Sequence, residues 1–472
     1  MSSSSRYLDR KGTAFALLAL LCGTPALAAE RRPNIVLIQA DDLGWGDLGS
    51  YGQKRFTTPN LDRMAAEGTR FTQYYSGSTV CGPSRAVLMT GLHTGHARVR
   101  GNGDHPLLPE DVTVAELLKG AGYATAIIGK WGLGTADTTG RPDKQGFDES
   151  FGFLDHTHAH RQYTDHLWSN GEVAAVDDKD YVNDLFAKAA VEFVEKNAAR
   201  PFFLYLAFTV PHAELRAPDE SIRPSRGLFP EKPFVNEKAD AVPSHPPSRV
   251  RRPTIGYRSQ PEPLAAFAGM VARMDQHVGH LLEALRARGI ERDTLVLFTS
   301  DNGPHREGGA DPDFFDSNGP LRGIKRDLYE GGIRVPMLAR WPGRVKAGAI
   351  SGQVWAHWDF LPTAAALAGV TAPRGLDGQS MANALTGRKQ RSHEFLYWEF
   401  HERGFQQAVR MGDWKAVRLA PGAPLELYDL KRDLGEQKDV AAARPDVVRK
   451  IEDYLKNART PSPLWPPPAA SK

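Results

Sequence analysis

Short apolar runs rich in β-branched residues alternate along this chain with stretches of helical period. Asn34–Ala40, Ala124–Gly129, Phe202–Phe208 and Leu295–Thr299 each read as a buried strand. Between them, Leu61–Glu67, Val112–Ala121, Tyr181–Lys196 and Leu264–Arg288 carry apolar positions at helical spacing. Strands separated by helices predict a mostly parallel sheet covered on both faces. In such sheets, sites gather where strands end.

Two regions break this pattern. Arg216–Pro263 is rich in proline and charge and has no period, which predicts an irregular surface excursion near the cleft. After a helical stretch at Phe360–Leu367, four short strand-like segments follow: Phe395–Phe400, Gln406–Arg410, Trp414–Leu419 and Leu425–Leu430. They predict a small antiparallel sheet, with a helix at Pro445–Lys456 beside it. The expected organisation is a leader over 1–28, an α/β domain over 30–385, an α+β subdomain over 386–460 and a disordered proline-rich tail over 461–472. There are no internal repeats.

Charge narrows the class. The 472 residues carry a formal net charge of only +3, which gives no footprint for nucleic acid. The Arg249–Arg252 cluster reads either as a local contact for a polyanion or as a solvated loop. At the start, Arg6, Arg10 and Lys11 precede the apolar run Ala14–Leu21, and Ala26-Leu27-Ala28 offers a small-residue cleavage site. That is the pattern of a secretory leader, with an apolar run too short for a permanent span. A periplasmic or secreted protein without a transmembrane helix is expected. Cleavage near Ala28 would leave Cys81 as the only cysteine, so it has no internal disulfide partner.

The chemistry clusters at strand ends. Asp41-Asp42 follows the first strand, and Asp301-Asn302-Gly303 follows the strand at Leu295–Thr299. Adjacent carboxylates repel unless positive charge lies between them, and a hard divalent cation with oxygen ligands supplies it. Either calcium or magnesium suits such a set. Gly303 allows a sharp turn. Cys81 opens an expected helix that runs to Gly91, with Pro83 in its first turn. A helix N-terminus favours anions, and Arg85, four residues on, lies over the same turn. Lys130 ends the second strand and His212 lies just past the third.

Cys81-Gly82-Pro83-Ser84-Arg85, continued by Ala86 and Leu88-Met89-Thr90-Gly91, resembles the segment that maturation enzymes convert to formylglycine in type I sulfatases. Asp-Asp-Leu-Gly-Trp-Gly-Asp from Asp41 and Ser-Asp-Asn-Gly-Pro-His from Ser300 are similar to the metal segments of that family. The resemblance runs from about Pro33 to Pro342, with weaker echoes at Asp359–Thr363 and Leu427–Leu430. It implies an alkaline-phosphatase-like α/β sandwich and a sulfuric ester hydrolase. It also implies formylglycine made from Cys81, and calcium held by Asp41, Asp42, Asp301 and Asn302, with position 81 completing the shell. Lys130 and Lys325 would contact sulfate, and His212 or Lys325 would protonate the leaving oxygen.

One position departs from the pattern. Gly132 stands where the family carries a histidine that handles a proton of the formylglycine hydrate. His156, His158 and His160 are the candidate replacements. If they lie on a strand, His158 and His160 share a face. His305 and Arg322 are further candidates to line the pocket, and Arg334 is expected to brace the loop after Glu330. The implied substrate is a sulfated carbohydrate or an aryl sulfate. Arg216–Pro263 and His401–Gln407 are the expected specificity segments. Two alternatives stay open: a phosphonate or phosphodiester hydrolase of the same superfamily, and a sulfated-glycan-binding protein that has lost catalysis.

Overall fold

The computed structural model describes residues 1–2, 32–103, 105–241 and 256–467. The leader pattern and the Arg249–Arg252 cluster fall outside the described residues. Eleven strands make one large sheet: β1 (Asn34–Asp41), β2 (Thr69–Tyr75), β3 (Ala124–Lys130), β4 (Glu149–Phe153), β5 (His166–Ser169), β6 (Glu172–Ala175), β7 (Phe202–Pro211), β8 (Thr294–Ser300), β9 (Arg334–Arg340), β10 (Ala349–Ser351) and β11 (Trp355–Ala356). Their order is β10-β2-β9-β8-β1-β7-β3-β4-β5-β6, with β11 also on β2. The centre, β8-β1-β7-β3-β4, is parallel throughout. β9 runs antiparallel to both β8 and β2.

Every residue of β1, β7 and β8 is buried, because helices cover both faces. Alternate side chains of β1 feed two separate cores. Val36 and Ile38 pack with the Pro59–Glu67, Val182–Asn197 and Pro263–Ala287 helices. Ile35 and Leu37 pack with the Cys81–Thr90, Val114–Gly120 and Phe360–Ala368 helices. This is the expected three-layer sandwich. Full burial of one such aliphatic side chain is worth about 1.5–3 kcal/mol, so the central strands anchor whatever sits at their ends.

A second, antiparallel sheet follows: β12 (Leu396–Phe400), β13 (Gln406–Met411), β14 (Trp414–Arg418) and β15 (Glu426–Asp429). Trp398 packs with Tyr75, Val80, Val87 and Trp358 of the large domain, and its indole N–H donates to the Ser76 carbonyl. Buried Lys415 reaches Glu330 at 3.2 Å and Glu436 at 3.3 Å. Arg334 braces Glu330, as expected, with Nη1 at 3.2 Å from the carboxylate.

The tail differs from expectation as far as Pro467. Trp465 is buried, its indole donates to the Arg98 carbonyl at 2.8 Å, and its own carbonyl accepts from Arg459. Proline-rich composition hid an aromatic anchor. Within the excursion, short helices occur at Asp219–Ile222 and Glu237–Asp240, and Phe234 bridges Gln260. Among the described residues, no helix is long and apolar enough to cross a membrane.

Candidate active site

Register builds the site. Ala40 of β1 pairs with Ser300 of β8, and Asp41 pairs with Pro211 of β7. The next residues, Asp42, Asp301 and His212, therefore leave three neighbouring parallel strands at one edge. Between the pairs Gln39–Ala207 and Asp41–Pro211, β7 advances two residues further than β1. This irregularity re-aims the chain that carries His212. Lys130 closes β3 on the far side of β7.

Asp42 adopts a left-handed backbone (φ 65°), which turns its N–H onto Asp301 Oδ1 at 3.1 Å. Gly303 serves a different purpose from a turn: a Cβ there would strike the Gly331 carbonyl oxygen, so glycine permits a close backbone approach.

Cys81 is the first residue of the Cys81–Thr90 helix and is buried. The Gly82 N–H donates to Asn102 Oδ1 at 2.9 Å. Ligand atoms of Asp41, Asp42, Cys81 and His212 all lie within 4.8 Å of one another. Lys130 Nζ donates to Asp41 Oδ2 and Lys325 Nζ to Asp42 Oδ2, each at 2.7 Å. Arg85 is fully buried, not on the surface. Its Nε and Nη2 fork onto Asp301 Oδ2 at 3.1 and 2.7 Å, and Nη1 donates to the Lys130 carbonyl. Such a fork orients a carboxylate in a way a lysine would not.

The three acids are matched by Arg85, Lys130 and Lys325. Two oxygens are left over: Asp41 Oδ1 and Asn302 Oδ1 are buried and accept no hydrogen bond. Buried acceptors are rarely left so, and hard oxygens beside three carboxylates fit a divalent cation. Burial pushes the Asp41 carboxyl up, but the charges of Lys130, then Arg85 and Lys325, outweigh it and hold it well below the carboxylate range. Burial and the charge of Asp41 push Asp301 up to about 7, against the pull of Arg85. Burial also pushes the Cys81 thiol far up, so the unmodified side chain is a protonated, weak nucleophile.

His212 Nδ1 meets the Ala213 carbonyl, so Nδ1 carries the proton and Nε2 accepts from Lys325 Nζ at 3.0 Å. Burial and then the Lys325 charge hold this imidazole well below its usual range, in the neutral form. Lys325 is thus the proton holder of the pair. His160 stacks on His212, with ring centroids 4.5 Å apart. His305 also stacks on His212, at 5.5 Å, and donates to the Pro211 carbonyl.

Two expected pocket residues lie apart. His158 is in a turn, not a strand, because Asp155 Oδ1 accepts its N–H. Its ring packs on Phe153 and meets Thr164 Oγ1 at 2.9 Å. Arg322 stacks on Tyr329 and bonds to Tyr428 Oη and the Glu436 carbonyl, bracing the C-terminal sheet.

His156 takes the other course. A Cβ added at Gly132 would clash with the His156 ring, 2.3 Å from Cε1 and 2.9 Å from Nε2, and a Cβ at Gly82 would lie 3.0 Å from the same nitrogen. Its Nδ1 is buried without a hydrogen-bond partner. Asn102, Tyr257 and Glu307 also reach the site, yet no local signal marks them. Asn102 sits in Gly101-Asn102-Gly103, Tyr257 in the irregular excursion and Glu307 two residues past His305.

A sulfatase family model matches residues 33–370. The chain belongs to the sulfatase family. A second model, for the C-terminal part of N-sulphoglucosamine sulphohydrolase, matches residues 324–460. This sulfatase is 35% identical to human arylsulfatase A over 92% of its own length and 89% of the relative's. It is 32% identical to the dog N-acetylgalactosamine-6-sulfatase, over 86% of the chain and 75% of the relative. A crystal structure of Ps i-CgsB in complex with k-i-k-neocarrahexaose superposes with a TM-score of 0.75 at 31% identity, covering 92% of this chain and 94% of that one. The sulfatase is a sulfuric ester hydrolase of the alkaline phosphatase superfamily.

Proposed function

We propose that this sulfatase is an exported enzyme that releases sulfate from a sulfated carbohydrate, with formylglycine made from Cys81 beside a calcium ion. One observation carries the reading: Asp41, Asp42, Cys81 and His212 converge within 4.8 Å at the sheet edge. Asp41, Asp42, Asp301 and Asn302 would hold the ion, with position 81 facing it. When present, the ion supplies Lewis acidity and the formyl group a hydrated hydroxyl nucleophile.

The chain's own residues do the rest. A sulfate monoester is anionic and repels nucleophiles, so its charge must be offset first. Three acids and three bases already balance, and a divalent ion leaves a surplus of positive charge for the ester. Lys130 and Lys325 hold sulfate oxygens. Lys325, steered by neutral His212, gives a proton to the departing alcohol oxygen. His156 supplies the imidazole beside position 81 that Gly132 lacks. Arg85 keeps Asp301 aimed at the ion.

The carbohydrate reading draws support from the relatives, among them an N-acetylgalactosamine-6-sulfatase and a structure holding a neocarrahexaose. Export rests on the leader pattern before Ala28. The maturation enzyme would read Cys81, Pro83 and Arg85.

Mass analysis of the peptide holding Cys81, followed by sulfate release from sulfated sugars and 4-nitrophenyl sulfate, tests the proposal. Aldehyde at position 81 and sugar desulfation are expected. An intact thiol in active enzyme would overturn the formylglycine step. Cleavage of phosphonate esters in place of sulfates would make it a phosphonate hydrolase, and sugar binding without release a binding protein.

A further inference from the structure

A carboxylate stands at the mouth of this anion site. Glu307 Oε2 lies 3.6 Å from Lys325 Nζ and 3.8 Å from His212 Nε2, beside the two groups that face the ester. Arg326 donates to Oε1 at 2.7 Å and the Tyr257 hydroxyl to Oε2 at 2.6 Å. Its side chain remains 23% exposed, so a ligand can reach it. Burial raises this acid, but the Lys325 charge, helped by the bond from Tyr257, outweighs it and keeps it ionised. A fixed negative charge here repels sulfate and weakens binding of the group the pocket is built for. Beyond steadying Lys325, a carboxylate so placed has the non-sulfate part of the ester as its natural contact.

The aromatic partner points to what that is. Tyr257 lies on the returning limb of the excursion. This limb is pinned by the Phe234–Gln260 bridge and by Asn236 Nδ2 on the Tyr257 carbonyl at 3.1 Å. The ring sits 5.5 Å from His160 and 5.9 Å, edge-on, from His212. An aromatic face next to an ionised carboxylate takes a ring with an apolar face and hydroxyl edges. The face packs on the tyrosine and the hydroxyls donate to the carboxylate.

We propose that Glu307, oriented by Tyr257, reads a hydroxyl adjacent to the sulfated carbon, making a polyhydroxylated sugar ring the selected leaving group over a flat aryl or steryl one. The proposal rests on the sulfate-ester reading above and deepens it. Glu307 is a specificity residue and Tyr257 a positioning residue.

The test crosses a substrate change with a side-chain change on the matured, calcium-loaded enzyme. Probes are the 2-, 4- and 6-sulfates of galactose, the 4- and 6-sulfates of N-acetylgalactosamine, the deoxy analogue of the best one lacking the hydroxyl nearest the ester, and 4-nitrophenyl sulfate. In the native enzyme, deoxygenation lowers kcat/KM by about 10–100-fold, the range of a hydrogen bond to a charged group. Glu307→Gln lowers kcat/KM on the intact sugar sulfate by a similar factor and no longer separates it from the deoxy analogue. Tyr257→Phe keeps the ring, drops the bond to Glu307, and raises KM on the sugar with little change in kcat. Equal losses on sugar, deoxy sugar and aryl sulfate would overturn the proposal, because Glu307 would then merely position Lys325. Cleavage of 4-nitrophenyl sulfate but of none of the sugars would also overturn it, while leaving the sulfate-ester reading intact. Release from no sulfate ester at all would sink both.

Discussion

The imidazole of His156 lies directly over Gly132, in the space a side chain at position 132 would occupy. The two residues are 24 apart in sequence, yet β3 and β4 are parallel neighbours and bring their following loops together. The backbone N–H of Gly132 donates to the Leu154 carbonyl at 3.0 Å, which fixes the loop below the ring. Gly132 also has φ 79°, a conformation that other residues adopt at a cost. Glycine here makes room for a histidine delivered from elsewhere.

If that imidazole serves position 81, His156→Ala lowers kcat by about 10²–10⁴-fold, the usual contribution of a positioned acid–base group. KM changes little, and added imidazole restores part of the rate. Steady-state kinetics with and without imidazole measure this. His158→Ala is the control and keeps native kinetics, since His158 packs on Phe153 away from the site. A loss in His158→Ala matching that in His156→Ala would reject the assignment.

The unpartnered Asp41 Oδ1 and Asn302 Oδ1 make a second prediction. Calcium added to chelator-treated protein raises Tm, and at about 100-fold excess over Kd the gain is about 2.7 kcal/mol. Asn302→Ala removes one ligand oxygen and shifts the dependence to higher calcium. Calorimetric titration of calcium, and separately of magnesium, reports the affinities. No heat and no rise in Tm with either ion would count against the site.

Arg85 offers a stability test. Arg85→Met leaves buried Asp301 without the guanidinium that donates twice to its Oδ2 and costs about 3–5 kcal/mol, as when one member of a buried ion pair is removed. Arg85→Lys keeps the charge, loses the fork and falls between the two. Urea unfolding midpoints give the ranking. A Met variant as stable as the native protein would show that Arg85 is not holding the acid.

Acid should release the C-terminal tail. Burial raises Glu399, but bonds from His401 and Arg459 and the charge of Arg100 bring it down from 4.5 to about 2. A folded-state value below the unfolded one adds stability that is full above the unfolded value. That stability is lost as pH falls from about 4.5 towards about 2. The contribution is on the order of 3 kcal/mol. Glu399→Gln is therefore less stable at neutral pH and loses less on acidification, as urea titrations at several pH values will show. Parallel pH profiles for the two proteins would refute this.

Period and strand ends made much of the architecture legible. Asn34–Ala40 and Leu295–Thr299 announced buried central strands, because strands covered on both faces need unbroken apolar runs. The acids after them were readable because parallel strands place their ends at one edge. His158 was not: a histidine alternation suggests a strand only until the Asp155 side chain caps the N–H and closes a turn. Trp465 was hidden by the prolines around it, although its burial ties residues near the C-terminus to Arg98.

By itself, the sequence determined the α/β layering, the Cys81 segment and the oxygen-rich strand ends, since each depends on residues close together in the chain. Tertiary structure alone decided that Lys130 meets Asp41, that Arg85 grips Asp301, that His156 fills the space over Gly132 and that Glu307 borders Lys325. Those pairings join residues at least 18 positions apart in the chain, and only sheet register and the packing of both helical layers bring their side chains within reach.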